Sequence, residues 1–257
     1  MDHPPSIMDG RYPWRVMLGG AHSAFHQMAL DARLAQHPVA RVRFFTWSAP
    51  AVSLGWKQPA PAWLEAASWR ATGLEQVERP TGGGIAFHGS DLSVSVVIPR
   101  TVRLPVQALM RTVCESAVRL CGELGVEAAV RLESAADGRI DYCLMEPSAY
   151  AVMAGARKVA GFALRRYPDT WLIQGSMLVR PLPPRMTHRL PEELRGGLAA
   201  RAVALSEAAD SDLTPSMLAE RWAQQWSSWW EEEMITRILK GDFTDTTQQR
   251  TVDALSV

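Results

Sequence analysis

The sequence contains few cysteines, no excess of either charge and no long apolar run. Its 257 residues include three cysteines without a paired spacing, so neither a disulfide framework nor a cysteine-rich metal site is expected. Its 27 basic side chains are matched by 27 acidic ones, whereas nucleic-acid-binding domains usually carry a basic excess. No run of about 18 apolar residues is present, which argues against a membrane-spanning helix.

These absences indicate where the protein is expected to be located and which partners it is expected to lack. The first ten residues are polar and acidic, unlike a secretion signal. We therefore expect a cytoplasmic, monomeric protein with no nucleic-acid partner, no membrane partner and no metal. A chain of this length suits one large domain. We place that domain at residues 13–240 and a polar C-terminal tail without periodicity at residues 241–257.

The apolar pattern predicts helices and strands in alternation. Strands are predicted at residues 14–18, on either side of a turn within 43–58, and at 92–98, 128–132, 149–153 and 157–164. Helices are predicted at 25–34, 63–72, 106–124, 191–201 and 214–237. Residues 133–138 and 182–191 are predicted to be loops. Trp47 and Trp56 are expected to pack in the core. The aromatic face of the last helix would cover the core or dock a carrier protein; its members are Trp222, Trp226, Trp229 and Trp230.

One stretch, residues 78–99, combines three successive glycines with a strand. It reads E-R-P-T-G-G-G-I-A-F-H-G-S-D-L-S-V-S-V-V-I-P, and apolar side chains alternate along its second half. Because glycine lacks a Cβ, such a loop lets a ligand approach the backbone and its N–H groups closely. His88 follows within reach of that ligand. A tight hairpin with a chance histidine is the alternative explanation of the same letters.

The motif R-P-T-G-G-G-x-x-x-H followed by D-L-S-x-S resembles the signature of the lipoate and octanoate protein ligase/transferase family. That family shares its catalytic fold with the biotin protein ligases. The resemblance implies an α/β fold of the α+β type, a single domain whose mostly antiparallel or mixed sheet is flanked by helices. It also implies a tunnel for a medium-length acyl chain, walled by this loop and strand. The substrate-binding residues that it suggests are Arg79, Thr81, Gly82, Gly83, Gly84, His88, Ser53, Gly161, Gln174 and Gly175.

A cysteine and a lysine form the second informative pattern. C-L-x-x-P-S-x-Y begins at Cys143 and resembles the octanoyltransferase branch of the family, in which this cysteine is catalytic. G-x-R-K-V-A-G-x-A contains Lys158 and resembles the lysine motif, whose lysine contacts the acyl carbonyl. Without the resemblance, the cysteine could be an idle buried thiol and the lysine a solvated residue of a hairpin. The resemblance implies that Cys143 and Lys158 are catalytic.

The chemistry of a thiol beside an amine is consistent with acyl transfer. A free thiol has a pKa of about 8.5, so it needs a nearby cation or a helix terminus to ionise near neutral pH. Lys158 would supply that cation and polarise the acyl carbonyl. Cys143 would take an octanoyl or lipoyl group from an acyl carrier protein. A lysine of a lipoyl domain, or of the glycine cleavage H protein, would then accept the group without any cofactor.

Two residues depart from the family pattern and leave other functions open. Glu78 stands where an arginine is usual, and Gln174 stands where a histidine is expected. Glutamine forms hydrogen bonds but does not carry a proton at neutral pH. One alternative is an ATP-dependent lipoate-protein ligase without its accessory domain. Another is a non-catalytic paralogue that binds an acyl carrier protein.

Overall fold

The computed structural model describes residues 14–66, 69, 71–102, 104–133, 141–146 and 148–240. The predicted tail at 241–257, the first residue of the predicted domain and most of the predicted loop at 133–138 lie outside these ranges. Within them the chain forms a mixed α/β fold in which helices flank a seven-stranded sheet and a three-stranded sheet. The fold class predicted from the sequence is therefore confirmed.

The strands fall into two sheets, and in both sheets their spatial order differs from their order in the sequence. They are β1 (Arg15–His22), β2 (Arg41–Trp47), β3 (Ala51–Leu54), β4 (Glu75–Glu78), β5 (Ala86–His88), β6 (Asp91–Pro99), β7 (Ala129–Arg131), β8 (Ala151–Ala154), β9 (Arg157–Arg166) and β10 (Thr170–Leu178). The large sheet runs β1-β2-β6-β10-β9-β8-β7, and its one parallel pairing is β1 with β2. The small sheet runs β4-β3-β5. The sheet is thus mostly antiparallel, as expected.

The helices are α1 (Ala24–Leu34), α2 (Ala62–Glu65), α3 (Val106–Glu123), α4 (Pro184–Thr187), α5 (Glu192–Arg201), α6 (Leu205–Ala208) and α7 (Pro215–Lys240). Local signals in the sequence set several of their ends. The Ser23 side chain accepts a hydrogen bond from the His26 N–H and caps α1. Thr214 caps α7 in the same way through the Met217 N–H. Gly125 adopts a φ of 75° directly after α3, as a residue that ends a helix commonly does.

The main core lies between the large sheet and the pair of helices α3 and α7. Strand β6 is buried at all nine of its positions because β2 and β10 flank it. Its even-numbered apolar residues join the core cluster that also contains Cys114, Cys121 and the tryptophans of α7. Its serines, on the other side of the strand, are buried too and bond to buried polar groups. The alternation in the sequence of β6 therefore does not divide a buried face from a solvent-exposed one. Both faces are buried: one packs in the apolar core, and the other lies against buried polar groups.

The aromatic face of α7 packs in this core. Trp222 and Trp226 are 0% exposed, and Trp229 and Trp230 are nearly as buried. Trp14 packs edge-on against Trp226 and Trp230. The prediction that the tryptophan face packs on the core is therefore confirmed, and the face is not available as a docking surface for a carrier protein.

Two local predictions were wrong, and a third was confirmed in part. The helix predicted at 63–72 is confirmed by α2 and by the helical residue Trp69, while residues 67, 68 and 70 lie outside the described ranges. The predicted loop at 182–191 contains the short helix α4, which buries Met186. Trp56 is partly exposed, and its ring contacts the cationic side chains of Lys57 and Arg165 instead of packing in the core. The α4 helix is too short for a periodic pattern to reveal it.

Replacing a tryptophan of α7 should destabilise the protein. We expect Trp222→Ala to lower the free energy of unfolding by about 3–5 kcal/mol, the usual loss when a large aromatic side chain leaves a core. The variant also removes the hydrogen bond from the indole N–H to Ser116 Oγ. Equilibrium urea denaturation measures this change. Phe25→Ala is the control because Phe25 is 77% exposed, and a comparable loss in that variant would contradict the assignment.

Candidate active site

A cavity of about 200 Å³ lies between strands of the large sheet and two loops. The first loop, residues 81–84, is called the glycine loop below. The second, residues 141–146 and 148–150, is called the cysteine loop. Apolar side chains form much of the wall, namely Met28, Phe45, Val94, Met110, Phe162 and Leu164. The cavity thus offers an apolar chain a place to lie, with polar groups concentrated at the two loops.

Most of the residues predicted from the sequence meet at this cavity. Its lining includes Cys143, Arg79, Gly82, Gly83, Gly84, His88, Ser53, Gly161, Gln174 and Gly175. Thr81 lies just behind the wall, where it bonds to Gln174. Lys158 lies under the cysteine loop and bonds to it directly. Residues from distant parts of the chain are therefore assembled at one site, although their individual roles remain predictions.

Backbone hydrogen bonds hold Cys143 in place. Its N–H donates to the Ile85 carbonyl at 2.8 Å, and the Ile85 N–H donates to the Asp141 carbonyl at 2.8 Å. The Glu146 carboxylate accepts from the N–H groups of Asp141 and Tyr142 and so fixes the start of the loop. The Cys143 side chain remains partly exposed and lines the cavity. The thiol is consequently fixed in position and accessible at the same time.

Lys158 is buried, with 3% of its surface exposed. Its ammonium group donates to the Cys143 carbonyl at 2.5 Å, to Ser148 Oγ at 2.6 Å and to the Glu146 carbonyl at 3.3 Å. All three acceptors are uncharged. Burial lowers the pKa of Lys158, while the negative charge that Cys143 can carry opposes that effect. The lysine is therefore part of the site and not a solvated hairpin residue.

The thiol and the amine approach the same point on β9. A Cβ added to Gly161 would lie 2.8 Å from Cys143 Sγ and 3.5 Å from Lys158 Nζ. The first distance is shorter than real Cβ contacts allow, so a side chain at this position would displace the thiol. The absence of a side chain at Gly161 is thus what lets the thiol lie against the strand beside the amine.

Gln174 connects two parts of the site, which explains its departure from the family pattern. Its amide N–H donates to Asp31 Oδ2 at 2.7 Å, and its amide oxygen accepts from Thr81 Oγ at 2.7 Å. Asp31 also forms a fully buried ion pair with Arg43, in which the closest N–O distance is 2.6 Å. The amide of Gln174 thus connects Thr81, the first residue of the glycine loop, to the buried carboxylate of Asp31. Sequence reasoning missed Asp31, which lies on α1 and outside the motifs that pointed to the site.

A second polar network lies beside His88. Its Nδ1 is 2.8 Å from Asp91 Oδ2, and its Nε2 is 2.8 Å from Ser53 Oγ. The His88 ring also stacks on Trp47, with ring centroids 3.9 Å apart. Burial opposes ionisation of Asp91, but His88 and the other hydrogen-bond donors hold its pKa below the usual value. Asp91 was another missed residue, and its place three residues after His88 was the available signal.

The described residues contain neither a group of side chains suited to a metal ion nor a helix suited to crossing a membrane. No group of three or more histidine, cysteine, aspartate or glutamate side chains within the described ranges could hold a metal ion. None of the helices in those ranges combines the length and the apolarity that crossing a membrane requires.

An apolar cavity in an α/β fold, with a fixed thiol beside a buried amine, is an arrangement that suits an enzyme of the acyl-transferring class. The lipoyl protein ligase A/B catalytic domain model matches residues 23–227. The chain belongs to this family. It is also 35% identical over 216 residues to the octanoyltransferase LipM of Symbiobacterium thermophilum, an alignment that covers 76% of this chain and 78% of that protein.

Other similar proteins agree with this assignment. The octanoyltransferase LipM of Anoxybacillus flavithermus is 28% identical over 227 residues, which cover 78% of this chain and 80% of the relative. A lipoate-protein ligase A structure with bound ATP superposes with a TM-score of 0.66 at 20% identity, covering 88% of this chain and 94% of that one. A bipartite lipoate protein ligase from Thermoplasma acidophilum gives a TM-score of 0.65 at 16% identity, covering 92% and 95%. The two structures share the fold with this chain.

Gly161→Ala should disable the thiol without unfolding the protein. The added methyl group overlaps the position of Cys143 Sγ and displaces the thiol from its place beside Lys158, so we expect the rate of Cys143 alkylation by iodoacetamide to fall at least several-fold. Gly122→Ala is the matched control, because a Cβ there meets no atom within 4 Å and alanine is favoured over glycine in a helix. Equal alkylation rates in wild type and Gly161→Ala would contradict the close approach.

Proposed function

We propose that this acyltransferase moves an octanoyl or lipoyl group from a carrier-protein thioester to a lysine of an acceptor protein, through an acyl-enzyme on Cys143. The observation that supports it most is the burial of Lys158 against the cysteine loop. Its ammonium group is held by uncharged acceptors and lies beside the one thiol that lines the cavity. A thiolate next to such a cation is stabilised, because an opposite charge favours the ionised form.

The first half-reaction forms the acyl-enzyme. The Cys143 thiolate attacks the carbonyl carbon of the donor thioester, and a new carbon–sulfur bond forms. The carrier thiolate leaves as the old carbon–sulfur bond breaks. Lys158 can protonate that leaving group, because burial lowers the pKa of the ammonium and so makes the proton easier to give up. One thioester replaces another, so the step needs no energy source.

The second half-reaction delivers the acyl group. The neutral amine of the acceptor lysine attacks the Cys143 thioester, an amide bond forms, and the thiolate returns. The proton lost by the amine passes to Lys158 if that side chain has given up its own, which restores the starting state. Conversion of a thioester into an amide is downhill, so no ATP is required. The Gln174 amide accepts a hydrogen bond from Thr81 and donates one to Asp31, so we assign it no role in proton transfer.

The cavity is suited to an alkyl chain. Each buried CH₂ group contributes about 0.8 kcal/mol, so an apolar wall of fixed depth can select a chain by its length. The similar LipM proteins are octanoyltransferases, which favours an eight-carbon group. The structure of the bipartite ligase from Thermoplasma acidophilum is described together with its E2 lipoyl domain. A lipoyl domain or the glycine cleavage H protein is accordingly the acceptor that we propose, and an acyl carrier protein is the donor.

An ATP-dependent ligase is the second candidate, because the fold also matches the ATP-bound lipoate-protein ligase A. In that reaction free lipoate or octanoate is activated by ATP before transfer. A cysteine nucleophile is then unnecessary, so the two functions differ in their response to the loss of Cys143. A carrier-binding protein without turnover would bind the donor and transfer nothing.

Intact-protein mass spectrometry after incubation with octanoyl-acyl carrier protein, without ATP, tests the proposal. We expect an octanoyl adduct on wild type that hydroxylamine removes, and none on Cys143→Ser. Cys121→Ala is the matched control and should keep the adduct, since Cys121 is buried in the core and away from the cavity lining. Acylation of an acceptor only when ATP and free octanoate or lipoate are supplied would identify a ligase. Binding without acylation under either condition would leave the carrier-binding protein.

The pH profile of acyl transfer should depend on Lys158. Steps that need its ammonium form slow as the pH rises through its pKa, and burial places that pKa below the ordinary lysine value. We expect Lys158→Ala to reduce the rate by about 10²–10⁴-fold, the usual contribution of a positioned acid or base, and to abolish the alkaline limb. In Lys158→Arg that limb should move to much higher pH. An alkaline limb that is unchanged in both variants would contradict this assignment.

A further inference from the structure

Arg79 is a buried cation that lacks a charged partner among its hydrogen bonds. Its guanidinium donates to the carbonyls of Gly82 and Gly84 at 2.7 and 2.6 Å. It also donates to the Ser53 carbonyl at 3.1 Å and to Ser53 Oγ at 3.2 Å. All of these acceptors are uncharged, yet only 8% of the residue is exposed. A buried charge is costly unless an opposite charge lies nearby.

The thiol of Cys143 lies over the same face of β9 as the guanidinium. A Cβ on Gly83 would be 3.1 Å from Arg79 Nη2 and 3.7 Å from the Ala163 side chain. A Cβ on Gly161 would be 2.8 Å from Cys143 Sγ. Positions 161 and 163 lie on the same face of β9, about 7 Å apart, since a strand rises about 3.3 Å per residue. The guanidinium and the thiol both line the cavity, so the thiol is the group that can supply that opposite charge.

A chain of hydrogen bonds fixes the guanidinium from behind. Arginine can only donate, so Ser53 Oγ accepts from Arg79. Ser53 Oγ is also hydrogen-bonded to His88 Nε2, and His88 Nδ1 to Asp91 Oδ2. Asp91 also accepts from Ser93, Ser176 and the Gly89 N–H. Every side chain of the chain thus has a buried hydrogen-bond partner, which restricts the arrangements of the network.

Ser53, His88 and Asp91 have the connectivity of a serine-hydrolase triad but not its exposure. The Ser53 side chain is 0% exposed, and the lone pairs of its oxygen face the Arg79 guanidinium. A nucleophilic serine must reach its substrate, and its oxygen must be free to attack. The three residues are consequently suited to positioning Arg79 rather than to attacking an acyl group.

We propose that Arg79 is a second cation that stabilises the Cys143 thiolate, and that Ser53, His88 and Asp91 position its guanidinium. The inference rests on the proposed function only in taking Cys143 as the reactive thiol. Burial lowers the pKa of Arg79, and the charge of Cys143 works in the opposite direction, which agrees with such a pairing. Lys158 from β9 and Arg79, which directly follows β4, would then share one negative charge.

Other ionisable groups around the thiol must be held constant in any test. Those that face the thiol, or the lysine beneath it, come from several elements: Lys158 from β9, Arg131 from β7, His88 from β5, Cys114 from α3, and Glu146 and Tyr150 from the cysteine loop. None of them is changed by substitution of Arg79. Single substitutions at Arg79 therefore isolate the contribution of its charge.

The experiment measures the rate of Cys143 alkylation by iodoacetamide against pH, on the full chain, by mass spectrometry of the peptide that contains Cys143. We expect Arg79→Gln to raise the apparent pKa of the thiol by at least about one unit, so the rate well below that pKa falls about tenfold. Arg79→Lys keeps a charge and should recover most of the rate. Ser53→Ala and His88→Gln should shift the pKa in the same direction by less, because the guanidinium loses its support.

Arg165→Gln is the matched control. Arg165 lies two positions beyond Ala163 on β9 and donates to the Pro80 carbonyl at 2.9 Å, so this variant removes a cation near the glycine loop but farther from the thiol. It should leave the thiol titration unchanged. Thermal melting establishes that each variant is folded. If Arg79→Gln does not fold, Arg79→Lys and Ser53→Ala decide the question by the size and direction of their shifts.

Two results would overturn the inference. The first is an unchanged thiol titration in every folded variant of Arg79, Ser53 and His88. The second is labelling of Ser53 by a fluorophosphonate, which would make that serine a nucleophile. The titration does not require acyl transfer. A shifted titration with no acyl-enzyme would therefore reject the proposed function alone, whereas an acyl-enzyme with unshifted titrations would reject the role of Arg79 alone.

Discussion

The site depends on the burial of two cations that are hydrogen-bonded only to uncharged oxygens. Lys158 and Arg79 approach Cys143 from different elements, and neither donates to a carboxylate in the hydrogen bonds described above. Contrast Arg43, whose guanidinium is neutralised by Asp31 in the same interior. Placing a cation in a protein interior without a hydrogen-bonded carboxylate costs stability. In the role that we propose for Lys158 and Arg79, a negative charge on the Cys143 thiol would offset that cost.

Two polar networks hold the loops that carry these groups. One joins Asp31 to the glycine loop through Gln174, and the other joins Asp91 to Arg79 through His88 and Ser53. Both begin at a carboxylate held by serines or backbone groups of the central strands. Because buried donors and acceptors must be satisfied, each network admits few arrangements of its members. The two loops that border the apolar cavity are thereby held in place by buried polar networks, which would suit the alignment of the carbonyl group in the proposed reaction.

Much of this arrangement could be predicted from the sequence, and the limits of prediction are physical. Periodicity located the long helices and several of the strands, because burial of one face imposes a regular pattern on them. It missed β10, which is buried on both faces at most of its nine positions and so lacks an alternation of apolar and polar residues. It also missed α4, which has four residues and no room for a pattern. The motifs pointed to Cys143, Lys158 and the glycine loop. They could not show that Gln174 reaches across to Asp31, because that contact joins residues 143 positions apart. The motifs also could not show whether Lys158 is buried or solvated, because a lysine in a β-hairpin can be either.

The cysteine loop is joined to the small sheet by the bridge between Ile85 and Tyr142. The Cys143 N–H bonds to the Ile85 carbonyl, so the position of this loop depends on a contact between segments that are far apart in the sequence. Proteins with many such non-local contacts fold more slowly. If Cys143 has the role that we propose, its proximity to Lys158 and Arg79 would arise only in the folded chain.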